Sequence, residues 1–403
     1  RKDIEDVQAR IETVGSNTGN SDRHRSGGRL FHRSEIEAFS KGGSASVLFG
    51  DAFAPLDDGR FVARLPAPPF LLLDRVLTEE APGLGPKAGT SVTAEYDIDP
   101  DAWFFASGGW GCMPYAVLQE TALQACGFLA AHCGSALSSD AGLHFRNLGG
   151  RFRLLEDVLP RTGRLAIRAA LIRVSAAQDM VIERFDTRVV QDNRTVLEGE
   201  TEFGFFTKAA LRAQAGIRKP TIAAALSGGE SLPFVNIEAI RTNDELPGLN
   251  LPQPMFRMID AVCCDTGHPG AFGLGVWTGV CTVRPDAWFF KAHFHKDPVW
   301  PGSLGLEAFL QVLRCGMLLQ GRVPAVGNAH RHFRWSLPHG KEHGWTYRGQ
   351  ILPENAKVRI EAHIKAIETE PTPMVKADGF LEADGLRIYE MTDFAVCVVE
   401  ENG

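Results

Sequence analysis

Residues Trp288 to Leu313 read WFFKAHFHKDPVWPGSLGLEAFLQVL, a histidine-bearing loop that runs through Pro301-Gly302 into a strongly apolar helix. An earlier stretch, Trp103 to Phe128, reads WFFASGGWGCMPYAVLQETALQACGF. It repeats the Trp-Phe-Phe opening, the proline before the helix and a Glu-x-x-x-Gln pair within it. The later version carries His293 in its loop. In the earlier one the aligned positions hold Ser107, Gly108 and Gly109, and the loop is two residues shorter. A second pair of landmarks fixes the period: LPAPPFLLLDRVL from Leu65 returns as LPQPMFRMIDAVC from Leu251, an offset of 186 residues, while Trp103 returns as Trp288, an offset of 185. Two landmarks at nearly one spacing mark a tandem duplication.

Working outward, each copy has the same order of elements. An alternating stretch (Thr90 to Tyr96; Gly275 to Val283) precedes the Trp-Phe-Phe loop and its helix, and strand-like segments follow: Arg164 to Val174 and Leu197 to Phe206 in one copy, Val358 to Ile367 and Leu386 to Val399 in the other. The helices, Tyr115 to Cys133 and Ser303 to Leu319, are apolar nearly all round, so each must be wrapped by protein. In the second, Glu307, Gln311 and Arg314 form one polar stripe at i, i+4 and i+7; Glu120 and Gln124 stand on the matching stripe of the first. The fold expected is α+β: a buried helix enfolded by an antiparallel sheet, built twice. Its boundaries are a polar linker over residues 1–45 with at most a short helix from Asp3 to Val14, a first copy over 46–222 and a second over 223–403.

Composition narrows the function classes. Hydrophobic content of 44% and charged content of 23% are those of a globular protein, and 403 residues exceed what one core usually accommodates. A formal charge of −7 offers no general attraction to nucleic acid or to an anionic membrane. There is no uncharged apolar run of eighteen residues or more and no signal-peptide order at the start, and the eight scattered cysteines form no C-x-x-C pair. A reducing cytoplasm is expected, with the chain a piece of something longer.

LPQPMFRMID, WFFKAHFHKDPVWPGSLGLEAF, YRGQILPENAKVRI and ADGLRIYEMTDFAV, in that order, resemble the hot-dog fold of β-hydroxyacyl-ACP dehydratases of the FabA type. The first copy, with FRNLGG, VIERFDTRVV and EGETEFGFFTKAAL, resembles the dehydratase regions of bacterial polyunsaturated fatty acid synthases. The likeness runs from about Ser46 to the C-terminus. It implies a double hot-dog that removes water from a 3-hydroxyacyl chain. The chain would be carried on the phosphopantetheine of an acyl carrier protein, among neighbouring domains of a fatty acid or polyketide synthase. No cofactor and no metal are implied; a homodimer is compatible.

The chemistry asks for three things: a base for the C2 proton, an acid for the leaving hydroxyl, and donors for charge growing on the thioester oxygen. His293 suits the first, a glutamate in an apolar tunnel the second, and the amide of Gly302 at a helix start the third, with Ser303 beside it. Because the resembled dimers join a histidine of one protomer to the helix carboxylate of the other, His293 is expected to face Glu120, with Gln124 bonded nearby. Glu307 and Gln311 would then be a relic site lacking a base, with Tyr115 standing where Gly302 stands in the live one. Asp297 is read as orienting the loop, Trp300 as limiting chain length, and Arg331 and Arg334 as carrier-docking residues at the tunnel mouth. His293 and His295 also invite a metal reading with His330, His332, His339 or His343. Alternatives to plain dehydration are one that also isomerises the product to a cis-3 enoyl chain, a non-catalytic carrier-docking scaffold, and a hot-dog thioesterase.

Overall fold

The computed structural model describes residues 28–78, 84–177, 180–223, 233–240, 248–324 and 331–401. The expected helix at Asp3 to Val14, and His330, lie outside them. In the first copy the strands are β1 (Arg75–Thr78), β2 (Ser91–Ile98), β3 (Leu143–Leu154), β4 (Gly163–Ala177), β5 (Met180–Gln191) and β6 (Arg194–Thr207). In the second they are β7 (Ala261–Asp265), β8 (Val276–Thr282), β9 (Phe333–Ser336), β10 (Glu342–Tyr347), β11 (Lys357–Glu368), β12 (Met374–Ala383) and β13 (Leu386–Glu400). The copies share one antiparallel sheet, ordered β1-β2-β4-β5-β6-β3-β10-β13-β12-β11-β8-β7, with β9 pairing with β13 beside β10. Each half therefore has the same internal order, and the halves meet where β3 pairs with β10, from Arg153↔Glu342 to Gly149↔Thr346.

Across each half lies one long helix, α1 (Tyr115–His132) or α2 (Gly302–Leu319), each preceded by a proline at its N-cap. Proline fits a helix entry because the first turn's N–H groups have no intrahelical acceptor to lose. Nearly every residue of both helices is buried, polar ones included. By length and composition α2 could cross a membrane, yet 83% of it is enclosed by this protein, which makes it a core helix.

The duplication extends to single hydrogen bonds. Gln124 accepts from the Leu72 amide (2.8 Å) and donates to the Phe70 carbonyl (2.7 Å); Gln311 does the same with Met258 and Phe256, both at 2.9 Å. Trp103 donates to the Pro69 carbonyl and Trp288 to the Met255 carbonyl, and the two indoles meet edge to face at 5.0 Å, where the copies adjoin. The Leu-Pro-x-Pro segments thus serve as matching straps over the two helices.

The linker expected over residues 1–45 is corrected from residue 30 onward. Leu30–His32 pairs with β1, and a helix over Arg33–Ser40 buries Ile36 and Phe39. The apolar spacing of Phe31, Ile36 and Phe39 was masked by the polar residues before it. Ser44 caps a further short helix, Ala45–Phe49, by accepting from the Val47 amide. All eight cysteines are free and seven are buried, as small core residues.

Candidate active site

His293 ends a short helix, Trp288–Ala292, and begins a tight loop closed by backbone bonds from the Phe294 and Asp297 amides to each other's carbonyls and from Val299 back to His293. Its Nδ1 lies 2.9 Å from the Val299 carbonyl. A carbonyl can only accept, so Nδ1 carries the proton and Nε2 keeps its lone pair. Burial disfavours the imidazolium and pulls the ring's pKa down to about 3, which leaves a neutral base at ordinary pH.

The loop is held from the other copy. Arg146, on β3, makes a two-pronged contact with the Asp297 carboxylate at 2.7 and 2.8 Å, and His144 approaches it at 2.9 Å. These bonds keep the Asp297 carboxyl far below the usual range despite its burial. Asp297 orients the loop, and its partners come from His144-Phe145-Arg146, which recurs as His332-Phe333-Arg334. That second tripeptide is a repeat signal the sequence reading passed over.

Glu120 and Gln124 of α1, His293, and Gly302 and Ser303 of α2 line one cavity of about 1140 Å³, open mouth included. Glu120 Oε2 accepts from the Ser303 hydroxyl at 2.7 Å, a bond between the copies, and Oε1 accepts from Gln124 Nε2 at 3.2 Å. Burial raises the Glu120 pKa to about 7, the two donors working in the opposite direction. Near neutrality this carboxyl can therefore hold a proton and give it away. Gly302 is the first residue of α2, and a side chain there would meet Tyr347, whose hydroxyl donates to the Gly302 carbonyl at 2.9 Å. Gly302 lines the cavity, and its amide has no intrahelical acceptor. Trp300 also lines the cavity, its ring tilted against that of Phe289 with centroids 4.6 Å apart.

The matching place in the other half is filled. Glu307 Oε1 accepts from Trp110 Nε1 (3.1 Å) and Gln311 Nε2 (3.0 Å), with Arg314 at 3.5 Å. The fully buried Arg314 donates to the carbonyls of Gly108, Gly109 and Asn250 at 3.1, 2.8 and 2.6 Å, and its guanidinium lies over the rings of Trp110 (4.6 Å) and Trp335 (5.5 Å). Gly108 aligns with His293, and a Cβ there would sit 2.6 Å from Pro114, so this collapsed loop has no room for a base. Burial pushes Glu307 up to about 7 even though Arg314 acts in the opposite direction. Tyr115, aligned with Gly302, is turned into the core, where its hydroxyl pairs with His343. On the helices Gly127 aligns with Arg314: the same position is open in one copy and a plug in the other.

One expectation is corrected. Arg331 and Arg334 do not line the cavity: Arg331 pairs with Glu400, while Arg334 pairs with Asp157 and lies against Gly111 on the filled side. As the repeat counterpart of Arg146, Arg334 belongs to that side by symmetry; the arginines on the cavity are Arg64 and Arg146. The histidines suggested for a metal also go separate ways: His295 packs on Gly42, His339 contacts Asp157 and His343 bonds Tyr115. No group of three or more metal-ligating side chains occurs among the described residues.

The chain is 30% identical over 337 residues to a polyunsaturated fatty acid synthase polypeptide of Thraustochytrium sp., a match covering 77% of this chain and 22% of that much longer protein. In outline it is similar to the dehydratase domain from the terminal module of the rifamycin polyketide synthase (TM-score 0.43, 13% identity, 84% of this chain and 99% of that one). It is similar also to a protein described as an oleoyl thioesterase from Lactobacillus plantarum (TM-score 0.42, 11% identity, 78% and 98%). The FabA-like domain model matches twice, over residues 65–200 and 251–392, the two matches starting at the two Leu-Pro-x-Pro straps. One match takes in α1 with Glu120 and the other takes in His293 with α2, so this chain belongs to the FabA-like domain family and carries that domain as a tandem pair.

Proposed function

We propose that the chain is the dehydratase part of a polyunsaturated fatty acid or polyketide synthase. It would convert a 3-hydroxyacyl chain on an acyl carrier protein to the trans-2-enoyl chain at one site per molecule. The observation that carries this reading is the meeting, in a single apolar cavity, of a neutral His293 and a Glu120 able to hold a proton near neutrality.

In this scheme His293 Nε2 takes the C2 proton. The C–H electron pair becomes the C2–C3 double bond as the C3–O bond breaks, and the hydroxyl leaves as water with the Glu120 proton. Charge on the thioester oxygen is met by the Gly302 amide at the α2 N-terminus, where the aligned peptide dipoles favour an anion. The proton on His293 then returns to Glu120, which restores both groups. Ser303 and Gln124 hold the carboxyl in place, and Asp297 with Arg146 holds the loop. Elimination of this kind needs only acid and base.

The test is incubation with a 3-hydroxyacyl thioester on carrier protein, followed by mass. Loss of one water in the wild type, abolished in His293→Ala, is the expected outcome. Release of free carrier thiol would mean a thioesterase instead, and carrier binding without mass change would mean a scaffold.

A further inference from the structure

The cavity continues well past Glu120. It is lined along α1 by Leu123, Gln124, Gly127 and Ala131, and Gly127 and Ala131 are half-exposed on a helix whose other residues are buried, because the cavity runs past them. From Glu120 to Ala131 the helix rises about 16 Å, room for an extended chain of about a dozen methylenes. Beyond lie Phe39, Phe49 and Leu56, all from the segment that precedes the first family-matched region.

That segment is firmly built. The Asp57 carboxylate accepts from the Ala45 and Ser46 amides and the Ser44 hydroxyl at 2.7, 3.0 and 2.6 Å, which holds its pKa down at about 2. Arg64 donates to the Phe39 carbonyl at 3.0 Å while its guanidinium lies over the Phe39 ring at 4.4 Å. Phe49 packs on Phe31, Phe39, Phe53 and Phe128 with ring separations of 5.1 to 6.0 Å.

We propose that the segment Arg33–Leu56 is the far wall of an acyl tunnel running along α1 past Gly127, and that it sets the longest chain the site accepts. This rests on the dehydratase reading. The apolar lining calls for a hydrocarbon tail, and Gly127 stands at a tight point of it, where a Cβ would already lie 3.2 Å from Leu65 and 3.5 Å from Phe145.

The experiment compares kcat/KM for 3-hydroxybutyryl and 3-hydroxypalmitoyl thioesters in the wild type, Phe49→Ala, Gly127→Leu and Gly127→Ala. Alanine is the better helix former, so the last variant keeps the fold while adding one methyl group. The long-to-short ratio should fall about tenfold or more in Gly127→Leu, fall less in Gly127→Ala, and rise in Phe49→Ala. Equal effects on both thioesters in Phe49→Ala and Gly127→Ala would overturn the wall while leaving dehydration intact. A wild type that dehydrates neither thioester would overturn both readings.

Discussion

The two half-sites start from the same parts and differ at four aligned places. His293 faces Gly108, Gly302 faces Tyr115, Ser303 faces Ala116, and Gly127 faces Arg314. The half that keeps the cavity has an imidazole in the loop, a bare helix start, a hydroxyl beside its carboxyl and no side chain at the position of Arg314. The filled half inverts all four and occupies the space with Trp110 and Arg314. What survives in both is Glu-x-x-x-Gln with its strap bonds, so the carboxyl on its own is part of the scaffold. On the proposed reading, reaction chemistry depends on what surrounds that carboxyl.

The sharpest way to break this contrast is to remove the same atoms from each side. Glu120→Gln and His293→Ala should each lower kcat by about 10²- to 10⁴-fold. Glu307→Gln should stay within about twofold of wild type, measured by water loss on carrier-bound substrate. Equal losses from Glu120→Gln and Glu307→Gln would sink the one-site reading.

Next in size is the plug. Arg314→Ala should cost about 3–5 kcal/mol in urea unfolding, because the buried carbonyls of Gly108 and Gly109 lose their side-chain donor and Glu307 its charged partner. Turnover per folded molecule should hold. Loss of turnover without loss of stability would mean that the filled half takes part in the reaction.

The loop anchors offer a finer comparison. Asp297→Asn strips the Arg146 pair from the His293 loop and should lower kcat about tenfold as well as stability. Asp157→Asn, which strips the Arg334 pair on the other side, should show only in the unfolding curve.

The smallest effect concerns pH. Glu120 must be protonated to act, and its pKa stands near 7, so kcat/KM should fall as pH rises through about 7. His293, neutral above about 3, sets an acid limb far below. The Ser303 hydroxyl lowers the Glu120 pKa, so Ser303→Ala, which copies Ala116 of the filled side, should move the alkaline limb upward by about half a unit. A downward shift would show that Ser303 does not serve the charged form.

Much of this was legible. Offsets of 186 and 185 residues reveal the duplication because elements that fold alike must carry the same landmarks, and the helices' all-round apolarity announces the wrapping sheet. Pairing of His293 with Glu120 came from the family resemblance, since no local pattern links residues so far apart in the chain. Arg314 was visible as part of a polar stripe, yet its meaning depends on carbonyls of Gly108, Gly109 and Asn250 that only the fold brings within reach. The proposed wall at Phe39 and Phe49 was hidden for another reason: helices of eight and five residues leave too short a pattern to stand out from a polar tail.

The junction of β3 with β10 has a consequence of its own. In an assembly of two identical chains every substitution appears at both sites, so an arginine that closes one tunnel closes the other as well. Here the two halves are lengths of one polypeptide and can mutate independently. One can keep a histidine beside an open channel, which would serve reaction at the expense of packing, while the other is filled solidly. Joining the copies end to end has thus permitted a division of labour that symmetry forbids to a homodimer.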